Sequence, residues 1–167
     1  MSRSNTALTA PACTSFNSLA NSLTAVASAA AVLVGTANNV ADHLVQLTLT
    51  GPTTTTAGVT TMVNIFVYGS IDGTIWSGSG TTNELIDGTD KAVTWSANGN
   101  NAKLLGSVQM TTTTSGTSIV YKSEPMSIAA AFGGTLPAKY VIVIQNQAGA
   151  ALAASGHSIA VSEIAYS

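Results

Sequence analysis

Apolar and polar residues alternate in several short stretches of this chain, and turn residues separate those stretches. In residues 43–50 the apolar Val45, Leu47 and Leu49 alternate with glutamine and threonine. This period of two predicts a β-strand with one buried and one hydrated face. A glycine and a proline follow and end the strand, because proline has no backbone N–H to donate.

The most constrained pattern lies in residues 62–77, MVNIFVYGSIDGTIWS. Alternation predicts a first strand, and the Asp-Gly pair favours a turn because glycine tolerates positive φ. The chain then resumes an extended pattern, so a β-hairpin is predicted, with a cross-strand contact between Tyr68 and Trp76. The residues predicted to form the hairpin and its core are Val63, Ile65, Val67, Tyr68, Asp72, Gly73 and Trp76.

Three later features predict where strands are central and where they end. Residues 140–144, YVIVI, are apolar on both faces and predict a central strand that is covered on both sides. Pro125 predicts that the strand before it runs at a sheet edge or stops there. Residues 127–132, closed by two glycines, favour one helical turn or an irregular bridge.

In total the chain predicts about eight short strands joined by turn residues. This pattern is typical of an all-β fold, an antiparallel β-sandwich of jelly-roll-like type with an extended N-terminal arm. A parallel α/β fold is disfavoured because the long alternating helices that it needs are missing. Residues 103–111 predict a strand with Leu104, Val108 and Met110 on one face. The other predicted strands span residues 84–86, 92–96, 118–122 and 158–166.

The first 38 residues are predicted to form a separate segment, and residues 39–167 the sandwich domain. Residues 1–14 are small and polar with one proline, which favours an arm without regular structure. Residues 16–34 have apolar side chains at helical spacing but also a run that fits a strand. An extended or mixed segment and a short amphipathic helix on the sandwich edge are both open. We expect a contact with a neighbouring subunit here, through Phe16, Leu19, Leu23 and Val26.

Charged residues make up only 7% of the chain, and the formal net charge is −2. Globular domains average roughly 25%, so this surface has little charge to keep copies apart. We expect neighbouring subunits to cover part of it. The few Lys and Arg residues are scattered, which disfavours nucleic acid and anionic membranes as partners.

The single cysteine, Cys13, cannot form a disulfide framework within the chain, which fits synthesis in a reducing compartment. We expect it to be an inert thiol. Residues 1–21 lack the charged start and apolar run of a signal peptide. Residues 25–34 are apolar but far shorter than the roughly 20 residues of a membrane helix. We therefore expect a soluble protein without its own secretion signal.

Two histidines, His43 and His157, are too few for a histidine metal cluster, and no second cysteine completes a zinc site. Neighbouring strand residues point to opposite faces, so Asp42 does not orient His43 by adjacency. We expect His43 at a surface or interface and His157 in a turn before the last strand. No catalytic residue and no cofactor are predicted, and the protein is not expected to be an enzyme.

Aspartates beside glycines raise the question of calcium. Asp72, Asp87 and Asp90 lack the alternate ligand spacing and closing glutamate of a calcium loop. Turn formation accounts for Asp72-Gly73 and Asp87-Gly88 without a metal. Glu84, Glu124 and Glu163 are far apart in sequence, so no glycosidase pair is assigned.

The aromatic residues Tyr68, Trp76 and Trp95 leave a second function open. Aromatic rings stack on sugar rings in carbohydrate-binding modules, and exposure of Trp76 or Trp95 in a groove is what that function predicts. The core is the other place for such rings. The two interpretations differ in how much of each ring is buried.

Four segments of the chain form a recognisable set: VYGSIDGTIW, the Phe-Gly-Gly-x-Leu-Pro element at residues 132–137, the following YVIVIQNQAGAAL, and the terminal SIAVSEIAY. Together they resemble a family of small β-sandwich proteins among the virion structural proteins of tailed bacteriophages. The resemblance spans residues 44–166. It implies a non-enzymatic particle component present in many copies, located in the virion and assembled in the host cytoplasm.

The sequence hypothesis is therefore a capsid decoration or cement protein that binds the particle surface through its sandwich and N-terminal arm. Its expected partners are the major capsid protein or tail components and copies of itself. A tail, baseplate or adaptor role and a carbohydrate-binding or host-recognition module are the alternatives. A hydrolase would require a cleft that joins one of the histidines to a carboxylate.

Overall fold

The computed structural model describes residues 2–34, 39–53, 61–76, 86–94, 102–111, 116 and 118–166. A 3-10 turn spans Thr14–Phe16 and helix α1 spans Ile128–Ala131. In chain order the strands are β1 (Arg3–Ala7), β2 (Ala25–Ser28), β3 (Val32–Leu33), β4 (Val40–Thr50), β5 (Met62–Ser70), β6 (Lys91–Thr94), β7 (Lys103–Gln109), β8 (Val120–Lys122), β9 (Met126–Ser127), β10 (Lys139–Gln147) and β11 (Ser158–Tyr166).

These strands form two antiparallel sheets packed face to face. The first sheet has the order β1-β11-β4-β8, and β9 also pairs with β4. The second has the order β6-β2-β10-β5-β7, and β3 also pairs with β10. Among the described residues, eight strands have four or more residues. The predicted all-β antiparallel sandwich is confirmed.

The core lies between the sheets, and a smaller apolar cluster covers the outer face of the second sheet. Val45, Leu47 and Leu49 of β4 are fully buried in the core, as their alternation predicts. Val141 and Val143 of β10 point the other way into the outer cluster. The prediction of a central strand covered on both faces is confirmed for β10. The inward side chains of β10 are Tyr140, Ile142 and Ile144, and Val26, Tyr68, Ile86 and Val93 complete the outer cluster.

The first strand of the predicted hairpin at residues 62–77 is confirmed, but residues 71–75 do not form its second strand. Its first strand is β5, with Val63, Ile65 and Val67 fully buried. Residues 71–75 form bends and do not return alongside β5. β10 pairs with the whole of β5, whereas β7 pairs with Met62–Val67. Hydrogen bonds from Ser70 and to Asp72 hold residues 71–75 in bends instead.

The N-terminal segment is built into the sandwich, which differs from the predicted separate arm. β1 pairs with β11, and β2 lies between β10 and β6. Phe16, Leu19 and Val26, predicted as interface residues, are buried in this chain's own clusters. The spacing of these apolar residues therefore reflects their positions in the core. The segment of residues 16–34 is extended apart from a 3-10 turn at its start, so the alternative of an amphipathic helix is wrong. Of the four predicted interface residues, Leu23 is exposed, at 73%.

The prediction that Leu104, Val108 and Met110 share one face of β7 is wrong for Leu104. Val108 and Met110 are buried, but Leu104 is 63% exposed. The register of β7 on β5 shifts by one residue between Ile65 and Phe66. Such a bulge turns the following side chains to the opposite face, and so Leu104 points to solvent.

Other predicted elements are found at or near their expected positions. The helical turn at residues 127–132 is α1, where Ser127 Oγ accepts a hydrogen bond from Ala130 N at 3.0 Å. Strand β8 lies at a sheet edge and ends at Lys122, before Pro125, as predicted. Strand β6 covers the start of the predicted strand at residues 92–96. Trp95 and most of the predicted strand at residues 84–86 lie outside the described residues.

Two segments that carry the family resemblance touch each other. A Cβ placed on Gly69 in β5 would lie 2.9 Å from Phe132 Cε1 and 3.0 Å from Pro137 Cβ. Only glycine leaves room for the Phe132 ring at this distance, because real Cβ contacts are longer. The Phe-Gly-Gly-x-Leu-Pro element is thus docked on the strand that precedes the Asp-Gly turn.

Candidate functional site

Three large apolar side chains are exposed together at one end of the second sheet. Leu33 is 64% exposed, Ile71 88% and Ile75 73%. We call these three residues the apolar end patch. Single exposed apolar residues are ordinary on protein surfaces, whereas grouped ones mark contact sites.

Strand register places the patch residues at the same end of the second sheet. Leu33 of β3 pairs with Lys139 of β10, and Lys139 pairs on its other side with Ser70 of β5. Adjacent strands lie about 4.8 Å apart, so Leu33 and Ser70 are separated by roughly 10 Å. The turn that carries Ile71 and Ile75 begins directly after Ser70.

Side-chain hydrogen bonds fix the shape of this turn. Asp72 Oδ1 accepts from the backbone N–H groups of Thr74 and Ile75, each at 2.8 Å. Ser70 Oγ donates to the carbonyl of Ile75 at 2.6 Å and accepts from Gly73 N at 2.8 Å. The bonds from Ile75 and Thr74 lower the pKa of the Asp72 carboxyl. The turn therefore holds its isoleucines outward without a ladder of strand bonds.

Lys139 lies against the same turn. Gly73 has φ of +72°, and a Cβ at this position would lie 2.6 Å from Lys139 Cε. The positive φ favours glycine here, and the flexible end of the lysine side chain covers the turn. The patch thus combines exposed aliphatic groups with the side chain of one cation.

Of the aromatic side chains predicted as a sugar platform, Tyr68 and Trp76 are packing residues, and Trp95 lies outside the described residues. Tyr68 is 2% exposed. Trp76 is half-buried and packs on the outer cluster to which Tyr68 belongs, so the two predicted partners share one cluster. A Cβ on Gly88 would lie 2.6 Å from Trp76 Cζ2, because the indole covers the Asp-Gly turn at residues 87–88.

His43 is fully buried, which corrects the expectation of a surface histidine. Its Nδ1 lies 3.0 Å from Tyr140 Oη, and its Nε2 lies 3.8 Å from Glu163 Oε2. Burial lowers the pKa of the imidazole, and the charges of Glu163 and Asp42 only partly oppose this. Asp42 is turned elsewhere and accepts a hydrogen bond from Ala129 N at 2.8 Å. The ring is thus a neutral core group.

Both ring nitrogens of His157 are within hydrogen-bond distance of backbone groups. Its Nδ1 accepts a hydrogen bond from Thr50 N at 3.2 Å, so its Nε2 carries the proton and donates to the carbonyl of Ala153 at 3.0 Å. Protonation of Nδ1 would break the first of these bonds. His157 therefore fastens the loop before β11 to the end of β4, in the turn that the sequence predicts.

A cleft of about 310 Å³ lies between the N-terminal segment and this loop, and both Cys13 and His157 line it. Cys13 is 8% exposed. Burial, followed by the charge of Asp90, raises the pKa of the Cys13 thiol. Because the thiolate is the reactive form, this setting favours an unreactive cysteine.

Asp72 and Asp87 form hydrogen bonds within their own turns, whereas Asp90 accepts hydrogen bonds from Thr14 and Ser15 of the N-terminal segment. Asp87 accepts from Thr89 and forms an ion pair with Lys91 at 2.7 Å. Partial burial opposes ionisation, but the bonds from Lys91 and Thr89 outweigh it and lower the pKa of Asp87 to about 2. Among the described residues, no three His, Cys, Asp or Glu side chains gather as a metal site.

The patch residues were missed by sequence reasoning, although one signal was present. Ile71 and Ile75 flank an Asp-Gly turn, where polar residues are the rule. Leu33 carries no such signal, because the pairing of β3 with β10 alone decides that it faces solvent while Val32 is buried.

Comparison with known proteins gives no relative: no protein-family model, curated protein or solved structure matches the chain. In the described part of the chain, no helix has the length and apolar character needed to cross a membrane. The class that the structure defines is that of an all-β sandwich with two antiparallel sheets.

Proposed function

We propose that this protein is a structural component of a bacteriophage particle, a capsid decoration or cement protein that binds in many copies. A tail, baseplate or adaptor position is the alternative placement on the same particle. The observation that carries the proposal is the apolar end patch on a chain in which only 7% of residues are charged. Such a surface is suited to contact with another protein.

The patch supplies a modest contact for each copy. Burial of a fully exposed leucine or isoleucine side chain gains about 1.5–3 kcal/mol. Association costs at least about 4 kcal/mol in lost freedom of motion, so three partly exposed side chains give weak binding alone. On a repeating surface, each additional contact acts at a high effective concentration and makes attachment durable.

Charge and shape indicate what the partner surface offers. A net charge of −2 gives little repulsion between copies crowded on one shell. An apolar surface on the partner protein would match the patch. Lys139 lies beside the patch and favours a carboxylate or carbonyl oxygen at the edge of that partner surface. Copies of this chain and other virion proteins are the proposed partners, without nucleic acid or membrane.

The phage setting is supported by the family resemblance alone. Its segments include the turn that carries Ile71 and Ile75 and the Phe132 element that packs on Gly69. The resemblance and the exposed patch therefore concern the same region of the fold.

A first experiment tests the location. Particles of the phage whose genome encodes the chain are purified, and the protein is quantified by mass spectrometry against the major capsid protein. We expect a fixed copy number that matches a symmetry-related set of sites. Absence of the protein from purified particles would overturn the proposal.

A second experiment tests the patch. The variant Leu33→Ser, Ile71→Ser, Ile75→Ser is compared with Leu23→Ser, Leu104→Ser, Val120→Ser, which removes three other exposed apolar side chains. Binding to particles that lack the protein should fall strongly for the first variant and little for the second. An equal loss of binding in both variants would show nonspecific apolar association and contradict a defined binding site.

A further inference from the structure

Strand β1 is attached to the sandwich through its backbone. All five of its side chains are exposed, and among the described strands it pairs with β11. The register runs from Arg3 opposite Tyr166 to Ala7 opposite Ser162. Since β1 buries no side chain, the ladder of hydrogen bonds accounts for most of its attachment.

The ladder with β11 continues past β1 to Leu8, and the chain is next fixed at Ala12. Leu8 N donates to the carbonyl of Val161 at 2.9 Å, and the carbonyl of Ala12 accepts from Ala30 N at 2.7 Å. Residues 9 and 10 between these points are exposed, and Pro11 has no N–H to pair. The short stretch of residues 9–11 is therefore a hinge about which residues 2–8 can leave. Leu8 packs against the core, and the Leu8 of a second copy takes the same place when the segments exchange.

The outer edge of β11 is suited to pairing with a strand. Without β1, the outward N–H and C=O groups of residues 162–166 would lose their partners. An identical strand from a second copy restores every one of these pairs, including the contact of Asn5 Oδ1 with Ser162 Oγ at 3.1 Å. Exchange between copies thus conserves the bonding, and local protein concentration decides how often it occurs.

We propose that β1 exchanges between copies of this protein: residues 2–8 of one copy pair with β11 of a neighbour in the register seen within the chain. The partner is a second copy, and the surface is the outer edge of β11. This proposal concerns self-association and does not depend on a phage particle or on the apolar end patch.

The test uses two single-cysteine variants in a Cys13→Ala background, Ala7→Cys and Ser162→Cys. Leu8 and Val161 form a hydrogen-bonded pair, so their neighbours Ala7 and Ser162 form a non-bonded pair. In such pairs the Cα atoms are about 4.5 Å apart, within disulfide range. The two variants are mixed, concentrated and oxidised, and the linked dimers are identified by mass spectrometry.

The matched control pairs Ala7→Cys with Ala130→Cys, an exposed position on α1. We expect the Ala7–Ser162 linked dimer at about ten times the yield of this collision control, as for a strand held at high effective concentration. Thermal unfolding of each variant verifies that it is folded.

Two results would overturn the exchange. An Ala7–Ser162 yield no higher than the control shows that β1 stays on its own chain. A product dominated by Ala7–Ala7 dimers shows that β1 edges meet side by side instead. Neither result bears on particle binding, which the patch variants measure separately.

Discussion

His43 and Tyr140 join the two sheets across the middle of the sandwich. His43 lies on β4 and Tyr140 on β10, with 3.0 Å between Nδ1 and Oη and a ring-centroid distance of 5.6 Å at 75°. Both side chains are fully buried. We assign the proton to Nε2, because this directs the N–H toward the Glu163 carboxylate 3.8 Å away and lets Nδ1 accept from the tyrosine hydroxyl.

Replacement of the tyrosine hydroxyl should therefore destabilise the fold. Tyr140→Phe leaves the buried Nδ1 without its donor, at a cost of about 1–3 kcal/mol. The unfolding free energy measured with urea checks this, and Tyr121→Phe serves as control because its hydroxyl bond to Thr111 is on the exposed side. We expect the control to lose less.

A double-mutant cycle separates the pair from its surroundings. The variant His43→Phe, Tyr140→Phe should cost less than the sum of the two single variants, because removal of both partners leaves no orphaned polar atom. Additive costs would contradict a direct interaction between the two side chains.

Stability should fall as the pH drops below about 6.5. Burial lowers the pKa of His43 in the folded protein, so the unfolded chain takes up a proton first, below its ordinary value of about 6.5. Acidification then favours unfolding until the folded pKa is reached. Urea unfolding between pH 7 and 5 measures the slope.

The variant His43→Asn isolates this effect, since asparagine keeps a polar atom near Tyr140 but does not titrate. Its stability should vary less than that of the parent over the same pH range. An equal slope in both proteins would mean that another group is responsible.

Asp90 should hold the N-terminal segment in place. Its carboxylate accepts from Thr14 N at 2.7 Å, Thr14 Oγ1 at 2.6 Å and Ser15 N at 2.9 Å. Asp90→Ala should cost roughly 1 kcal/mol, as for a lost helix cap. It should also speed the labelling of nearby Cys13 by a thiol reagent.

Glu124→Ala provides the control for Asp90→Ala, because it removes the same charge from an exposed position. Labelling of Cys13 should be unchanged in this variant. If Asp90→Ala leaves the labelling rate unchanged as well, the carboxylate does not secure the segment.

Gly69→Ala should destabilise the protein by about 1–3 kcal/mol through overpacking against Phe132. The second change Phe132→Leu should recover part of the loss. Gly106→Ala is the matched control, because its Cβ would meet the flexible Met126 sulfur at 3.2 Å. Thermal unfolding distinguishes the three variants, and equal behaviour of Gly69→Ala and Gly106→Ala would contradict the close packing.

Alternation in the sequence predicted which faces of the long strands are buried. The buried faces of β4 and β5 and the double coverage of β10 follow from local pattern, because side-chain direction in a strand has a strict period of two. Leu104 is the exception, because a bulge in β7 turns it to the other face. Gly106 beside the bulge is the sequence signal that this prediction did not use.

The short-range chemistry of turns was likewise visible in the sequence, but the path of the chain after a turn was not. Asp72 and Gly73 do form a turn. Whether the chain then returns as a strand depends on the contacts of the assembled turn, and here hydrogen bonds of Ser70 and Asp72 hold residues 71–75 in bends.

Residue type and a period of two were enough to establish an all-β sandwich with few charges, because both act locally along the chain. The assembled fold decided that Phe16, Leu19 and Val26 are core residues, that His43 is buried against Tyr140, and that Leu33 faces solvent while Val32 is buried. Each of these depends on which distant strands pair, and burial is a property of that pairing rather than of the residues themselves.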